Sequence, residues 1–233
     1  MPMTMEPEVD EPAPPAGLSE GGGGDDSDPE QPWWHQPWKL VVLGVALLFL
    51  GGAAGFALFG GPDDAPGPGS VDVGFLQDMR WHHDQAVRMS LFMLNKDGVT
   101  QDPTVRSIAT DILRTQQFEA GVMAGQLRTW GAAEANESGT GMAWMGMPVP
   151  IDRMQGMASA DELERLKAAT GKEADLLFLQ LMGVHHEGGL HMALDALARA
   201  ETDEARTLAE SIVQSQQFEL NELRRLEAQL TTP

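Results

Sequence analysis

Residues 75–90 read FLQDMRWHHDQAVRMS, and residues 178–193, 103 positions further on, read FLQLMGVHHEGGLHMA. The two stretches are identical at seven of sixteen positions, namely Phe, Leu, Gln, Met, His, His and Met. A second pair, VRSIATDILRTQQFE at 105–119 and ARTLAESIVQSQQFE at 205–219, agrees at seven of fifteen positions at an offset of 100. The chain after residue 70 therefore contains an internal repeat, in which each half has an HH segment followed by a QQFE segment.

The HH segments have the spacing of amphipathic helices. At 100° per residue, two equivalent sets of side chains each fall on one helix face: Phe75, Met79, His82, His83, Ala86 and Met89, and Phe178, Met182, His185, His186, Gly189 and Met192. Pro103 and the KDG sequence at 96–98 are typical of a helix start and a helix end. Two such hairpins predict an all-α fold, a four-helix bundle built from two repeated helical hairpins. Ser159 and Glu162 have the spacing of a capping box, which predicts a further short helix at 159–166.

An apolar run before the bundle predicts one transmembrane helix at 39–61. From Leu40 to Gly61 the sequence has 22 residues without a charge, which is long enough to cross a bilayer as a helix. Lys39 on its N-terminal side favours, by the positive-inside rule, a cytoplasmic N-terminus and an extracytoplasmic C-terminal domain. The sequence therefore predicts a single-pass protein of the cell membrane. A buried core helix is the alternative for this run.

Composition sets the other boundaries. Residues 1–38 are acidic and rich in Pro and Gly, and such a segment is predicted to be disordered because it can bury little apolar surface. Residues 62–70, PDDAPGPGS after the apolar run, form a linker. The exported bundle follows at 71–233, with a Met-rich crossover at 131–160 between its two halves.

The charge and the absence of cysteine exclude several kinds of function. Thirty-five acidic residues against fifteen basic ones give a net charge of −20, which argues against nucleic-acid binding. With no Cys in the sequence, disulfides, thiolate zinc sites and thiol catalysis are excluded. Any metal site must therefore use His, Met, carboxylate or backbone oxygen ligands. No nucleophile constellation or phosphate-binding glycine loop indicates hydrolase or transferase chemistry.

Polar residues interrupt the apolar faces of the QQFE helices, where they are costly unless they find partners. In an antiparallel hairpin, residues equally far from the turn lie at the same level. Counting from the two turns brings eight polar residues to one level: His82, His83, Gln116 and Glu119 in the first hairpin, and His185, His186, Gln216 and Glu219 in the second. If the two halves pack together, these residues form one polar layer, which is the candidate site.

A metal ion is one occupant that this layer would suit. Imidazole is the commonest protein metal ligand, and bundle cores often hold metals between facing helices. Imidazole and thioether together favour copper, as Cu(I) or Cu(II), and four methionines lie one or two helical turns from the histidines: Met79, Met89, Met182 and Met192. Glu119 and Glu219 would either bind the metal themselves or hydrogen-bond to the imidazoles and fix their tautomer. The alternative is a metal-free His–Gln–Glu network that sets helix register.

The methionines also have two interpretations. Methionine at helical spacing is common core filler. The crossover methionines stand among Gly and Pro, as in GMPVPIDRMQGM at 146–157, and would be either exposed thioethers or an apolar cover over the bundle.

The segments FLQDMRWHHDQAVRMS, GMPVPIDRMQGM and LFLQLMGVHHEGGLHMA resemble the bacterial family known as domain of unknown function 305, over about residues 71–230. The resemblance implies a ferritin-like four-helix bundle that is usually exported. Some members of that family, including cyanobacterial periplasmic proteins, are implicated in copper binding and copper resistance. By position, it points to Met79, His82, His83 and Met89, and to Met182, His185, His186 and Met192.

The leading functional hypothesis is a membrane-anchored protein whose exported bundle binds copper for sequestration, buffering or delivery. A structural or partner-binding bundle with a metal-free polar core is the alternative. A ferritin-like metal oxidase is a further alternative. Di-iron bundles typically use four carboxylates and Glu-x-x-His motifs, whereas only two glutamates reach the layer here.

Overall fold

The computed structural model describes residues 65–95 and 102–232, together with Leu47. Its described part is mostly helical, with α1 at Val71–Leu94, α2 at Pro103–Thr129, α3 at Ala160–Ala168, α4 at Gly171–Arg199 and α5 at Asp203–Thr231. The predicted tail at 1–38 lies outside the described residues, as does the predicted transmembrane helix at 39–61 apart from Leu47. Within the part that is described, no helix has the length and apolar character needed to span a bilayer.

The four long helices pack as two antiparallel hairpins, α1 with α2 and α4 with α5. The hairpins meet through α1 against α4 and α2 against α5. The C-terminal half of α1, with Met89 and Met93, shares one apolar cluster with the N-terminal half of α4, with Phe178 and Met182. Helices α1 and α4 therefore also run antiparallel. A second apolar cluster, which contains Phe75, occupies the other end of the domain.

The helix starts agree with the capping signals in the sequence. Ser70 accepts a hydrogen bond from the Val73 amide at the start of α1, and Asp102 accepts one from the Thr104 amide at the start of α2. The predicted capping box of Ser159 and Glu162 is present at the start of α3. These side chains satisfy amide groups that have no partner within the helix.

Each hairpin also holds the helix start of the other through a buried aspartate. Asp72 on α1 is fully buried, and its carboxylate accepts hydrogen bonds from the amides of Glu201 (3.0 Å) and Thr202 (2.8 Å) just before α5. Asp175 on α4 is 1% exposed and accepts a hydrogen bond from the Asp102 amide before α2 (2.9 Å). The two aspartates are 103 positions apart, which is the offset of the two HH segments. They tie the hairpins together at both ends.

Replacing Asp72 with Asn is expected to lower the free energy of unfolding by about 1–2 kcal/mol, because a charged acceptor is lost where buried donors need one. Urea unfolding followed by circular dichroism measures the effect. Asp84→Asn, which removes an exposed carboxylate from the same helix, is the matched control and should change stability by less than about 0.5 kcal/mol. Equal effects of the two substitutions would contradict the role of Asp72.

The crossover between the hairpins is anchored to α1 by one carboxylate. It contains a two-stranded antiparallel pair, β1 at Thr140–Gly141 and β2 at Val149–Pro150. Asp78 accepts hydrogen bonds from the Met142 amide (2.6 Å) and the Trp144 indole N–H (2.9 Å). The Trp144 ring packs edge-on against Phe75, with 5.8 Å between ring centroids. The crossover is thus part of the core at this end of the domain.

Candidate metal centre

A polar layer separates the two apolar clusters. Its members are the eight residues that the sequence places at one level: His82, His83, Gln116, Glu119, His185, His186, Gln216 and Glu219. The four imidazoles and both glutamines are fully buried, and the two glutamates are 4% and 7% exposed. We call this set the histidine layer. The structure brings together all of the His and Glu residues that the sequence singles out, while their role as metal ligands stays a prediction.

Each hairpin contributes one histidine–glutamate pair to the layer. His83 Nε2 lies 2.7 Å from Glu119 Oε2, and His186 Nε2 lies 2.7 Å from Glu219 Oε2. In both pairs the ring N–H donates to the carboxylate. Buried carboxylates need such partners, so the pairs explain why glutamate is tolerated on the core face of α2 and α5.

The other two histidines stack on each other where the hairpins meet. The ring centroids of His82 and His185 are 3.7 Å apart, with 30° between the planes. His185 Nε2 lies 2.9 Å from the backbone oxygen of His82, and His82 Nε2 lies 3.3 Å from the backbone oxygen of Gln155. A carbonyl oxygen can only accept, so Nε2 carries the hydrogen in both rings. Nδ1 of each neutral ring therefore holds a free lone pair.

His186 differs from His83 in its second nitrogen. Nδ1 of His186 lies 3.0 Å from the backbone oxygen of Met182, whereas Nδ1 of His83 has no hydrogen-bond partner among the described residues. Both nitrogens of His186 face oxygen acceptors, so neither is left over for a metal ion. Nδ1 of each of the other three imidazoles has no partner among the described residues.

Burial keeps the stacked histidines neutral. The pKa of His82 is lowered from 6.5 to about 3, mainly by burial and in addition by the neighbouring His83 and His186, against a smaller opposing effect of the Gln155 carbonyl. Burial likewise lowers the pKa of His185 well below its usual value, with added repulsion from the neighbouring histidines. Neutral imidazole is the form that binds metals, so these two rings need not lose a proton before they bind one.

Several polar atoms of the layer have no partner in the part of the chain that the structure describes. They are Nδ1 of His82, His83 and His185, and both amide atoms of Gln116 and Gln216. Buried polar atoms left without a partner are unfavourable and point to an unseen ion or water. Across residues 65–95 and 102–232, however, no three His, Asp or Glu side chains converge as a ready-made ligand group. The layer thus has donor atoms, and they are not arranged around one point.

The stacking of His82 and His185 is one reason why the donor atoms of the layer do not converge on one point. The Nδ1 lone pair lies in the plane of its ring, so the lone pairs of two stacked rings cannot point at each other. At least one ring must turn before both nitrogens can hold the same ion. The side chain of Gln216 is also close, since a Cβ added at Gly189 would collide with its amide oxygen.

The methionines lie outside the histidine layer. Met79 and Met192 are fully buried in one apolar cluster, and Met89 and Met182 in the other. They flank the layer on both sides as core residues. In the crossover, Met142 and Met154 are buried while Met147 is 43% exposed, so the segment is an apolar cover with one exposed thioether.

The crossover also covers the histidine layer on the α1–α4 side. A cover over the bundle is one of the two interpretations of its methionines given above, but the sequence does not indicate that it lies over the histidines. We call residues 155–158 the strap. The side-chain amide of Gln85 bonds both the backbone oxygen (2.9 Å) and the backbone amide (2.7 Å) of Ala158, and the Gln155 carbonyl accepts from His82. Gly188 on α4 leaves room for the strap, because a Cβ there would collide with the Gln155 carbonyl. Backbone groups make these contacts, so residue types carry little signal for them.

Comparison with known proteins agrees with this architecture. The family model for Domain of unknown function (DUF305) matches residues 72–227. A DUF305 protein from Streptomyces coelicolor is 38% identical, with a TM-score of 0.63, covering 70% of this chain and 94% of that one. A DUF305 fragment from Deinococcus radiodurans is 31% identical, with a TM-score of 0.58, covering 68% and 96%. CopM in its Cu(I)-bound form is 24% identical, with a TM-score of 0.50, covering 69% and 98%, and shows a similar fold. No curated protein matches the chain.

Proposed function

The chain belongs to the DUF305 family, and on that premise we propose that its helical domain binds copper in the histidine layer. The observation that carries this proposal is a set of three buried imidazole nitrogens, Nδ1 of His82, His83 and His185, that have no partner in the described part of the chain. His82 and His185 are the first ligands, because their Nε2–H groups are held by backbone carbonyls and their Nδ1 lone pairs stay free. His83 and His186 lie beside them, and Glu119 and Glu219 supply negative charge.

The chemistry of the layer favours copper over harder metals. Neutral imidazoles suit copper, thioethers favour Cu(I), and four buried methionines flank the layer: Met79, Met89, Met182 and Met192. Magnesium and calcium prefer oxygen ligands, and the two carboxylates are each engaged by a histidine. CopM, which shares the fold, has been crystallised with Cu(I) and with Cu(II).

The residues around the ligands set their form and orientation. The carbonyls of His82 and Gln155 fix the Nε2–H tautomer in His185 and His82, which leaves Nδ1 for the metal. Burial keeps both rings neutral. The copper is cargo, and binding requires a turn of at least one stacked ring.

The test is copper retention by the purified full-length protein, measured by equilibrium dialysis against Cu(I) under ascorbate and against Cu(II). The double variant His82→Ala with His185→Ala is expected to lower the affinity by about 100-fold or more, since even residues that only orient metal ligands are worth 10–100-fold. His191→Ala, which removes an exposed histidine outside the layer, is the matched control and should retain copper like the wild type. No retention by the wild type, or equal retention by the double variant, would refute the proposal.

We further propose that the domain is a ferritin-like four-helix bundle held outside the cell membrane by residues 39–61. The uncharged run from Leu40 to Gly61 supports the anchor, and the Streptomyces coelicolor relative carries the description of a secreted protein. The two hairpins and the crossover between them support the bundle assignment. Such a protein would sequester, buffer or deliver copper at the outer face. Release of the protein from membranes by alkaline carbonate alone would contradict the anchor.

A metal-free polar core is the second candidate, and the His83–Glu119 and His186–Glu219 pairs favour it because they are complete without a metal. The layer would then serve helix register or a protein partner. The two functions differ in one measurement. A ligand that prefers the folded state must raise the Tm, so a bundle that ignores copper melts at the same temperature with and without it.

A further inference from the structure

The histidine layer is closed to solvent, so a cation that reaches it must pass one side of the bundle. The strap seals the α1–α4 side through the hydrogen bonds of Gln85 and His82. The opposite side is the groove between α2 and α5, which contains a cavity of about 660 Å³ and another of about 920 Å³. All of the described residues that line the two cavities belong to α2 or α5, and both cavities share Arg114, Thr115 and Ser215.

Each cavity has one glutamate of the layer in its wall. Glu219 lines the 660 Å³ cavity and Glu119 lines the 920 Å³ cavity. The side chains of both are more than nine-tenths buried, and each has one oxygen 2.7 Å from an Nε2 of the layer. The two carboxylates therefore stand between the groove and the imidazoles.

The two glutamates differ in their second oxygen. Glu119 Oε1 accepts a hydrogen bond from the Ser215 hydroxyl at 2.9 Å, so both of its oxygens are engaged. Glu219 has its hydrogen bond to His186 through Oε2, and within the described residues its Oε1 has none. A carboxylate oxygen that lines a cavity without a partner is a ready acceptor for a cation.

The charge around the Glu219 cavity favours a cation as well. Among the described residues that line it, three are acidic, Asp111, Glu219 and Glu222, and one is basic, Arg114. A cleft lined by one sign of charge focuses the field and raises the local concentration of the opposite charge.

We infer that the groove between α2 and α5 is the port through which a soft monovalent cation reaches the histidine layer, and that Glu219 Oε1 is its first ligand. This inference rests on the proposed function, since it names the route to the same site. From Glu219 the ion passes to the layer beside His186. Glu119 does not serve as a first ligand, because the hydroxyl of Ser215 from the other hairpin already donates to its second oxygen.

The experiment measures how fast the full-length protein takes up Ag⁺, given as silver nitrate in nitrate buffer, by stopped-flow tryptophan fluorescence. Ser107→Trp fills the Glu219 cavity from an exposed position and leaves every charge in place. It is expected to slow uptake by about 10-fold, and Glu219→Gln by a similar factor that shrinks as sodium nitrate is added. Thr207→Trp, at the equivalent position 100 residues later in the other cavity, is the matched control and should change the rate less than twofold.

Silver retained at equilibrium, measured by dialysis, separates the two proposals. If Ser107→Trp retains as much silver as the wild type but takes it up more slowly, the result supports the port. Either of two results overturns the port and leaves the metal site intact: wild-type retention with unchanged uptake in Ser107→Trp, or faster uptake in Gln85→Ala, which removes both hydrogen bonds that hold Ala158 of the strap. No retention by the wild type overturns both.

Discussion

Lowering the pH from 7 to 4 is expected to unfold the domain, because two buried histidines must stay neutral in the folded state. The pKa of His82 is about 3 in the folded protein against an ordinary 6.5, and burial lowers that of His185 well below its usual value. Below pH 6.5 the unfolded chain therefore binds protons that the folded domain excludes. The contribution of these two neutral rings to the free energy of unfolding is fully present above pH 6.5 and is lost as the pH falls towards 3.

The size of the effect follows from one pKa unit being worth about 1.4 kcal/mol per group. Two such rings lower the free energy of unfolding by roughly 3 kcal/mol for each pH unit below 6.5. By pH 4 the accumulated loss approaches the whole free energy of unfolding of a typical domain. Asp78 acts in the opposite direction, because burial raises the pKa of its carboxyl above 3.8 and the folded state then holds its proton more readily in acid. One carboxyl offsets only part of the loss.

Urea unfolding at pH 7, 6, 5 and 4, followed by circular dichroism, measures this dependence. The double variant His82→Gln with His185→Gln lacks both protonation sites and should lose most of the slope, whatever its stability at pH 7. His191→Gln, at an exposed position, should keep the wild-type slope. If the wild type and the double variant lose stability equally between pH 6 and pH 4, other groups cause the acid sensitivity.

The meeting of His83 with Glu119 and of His186 with Glu219 is predictable from sequence by counting from the hairpin turns. Each residue of a helix advances the chain by a fixed rise, so positions equally far from a turn meet across a hairpin. The internal repeat could have drawn attention to Asp72 and Asp175, which occupy equivalent positions in the two HH helices. Their signal is a carboxylate kept at the same position of both halves, next to a helix start.

Other features of the site leave little trace in the sequence. Gln155 acts on His82 through its backbone carbonyl, which every residue type possesses. His83 and His186 stand in matching HH pairs, and what distinguishes them is the rotation that places His186 Nδ1 against the Met182 carbonyl. Spacing predicts which residues share a layer. Which nitrogen of each ring remains free depends on side-chain rotation and on the strap.

Gly188→Ala is expected to lower the free energy of unfolding by about 3 kcal/mol, because overpacking against a fixed backbone cannot be relieved by a change of rotamer. The added Cβ would collide with the carbonyl carbon and oxygen of Gln155 and with Cα of Gly156, all backbone atoms of the strap. To make room, the strap must move away from α4. That movement takes the Gln155 carbonyl away from His82 Nε2 and opens the covered side of the histidine layer.

Gly183→Ala is the matched control, since both glycines are buried in α4. A Cβ at Gly183 would lie 3.9 Å from Leu220 Cδ1, an ordinary van der Waals contact, so alanine should stabilise the helix there by about 0.5–1 kcal/mol. Urea unfolding measures both variants, and amide hydrogen exchange at 155–158 reports whether the strap has opened. If alanine lowers the free energy of unfolding at position 188 and raises it at position 183, then the strap, and not helix propensity, requires glycine at 188. A Gly188→Ala protein as stable as Gly183→Ala would show instead that the strap yields without loss, and that the crossover contributes little to closing the layer.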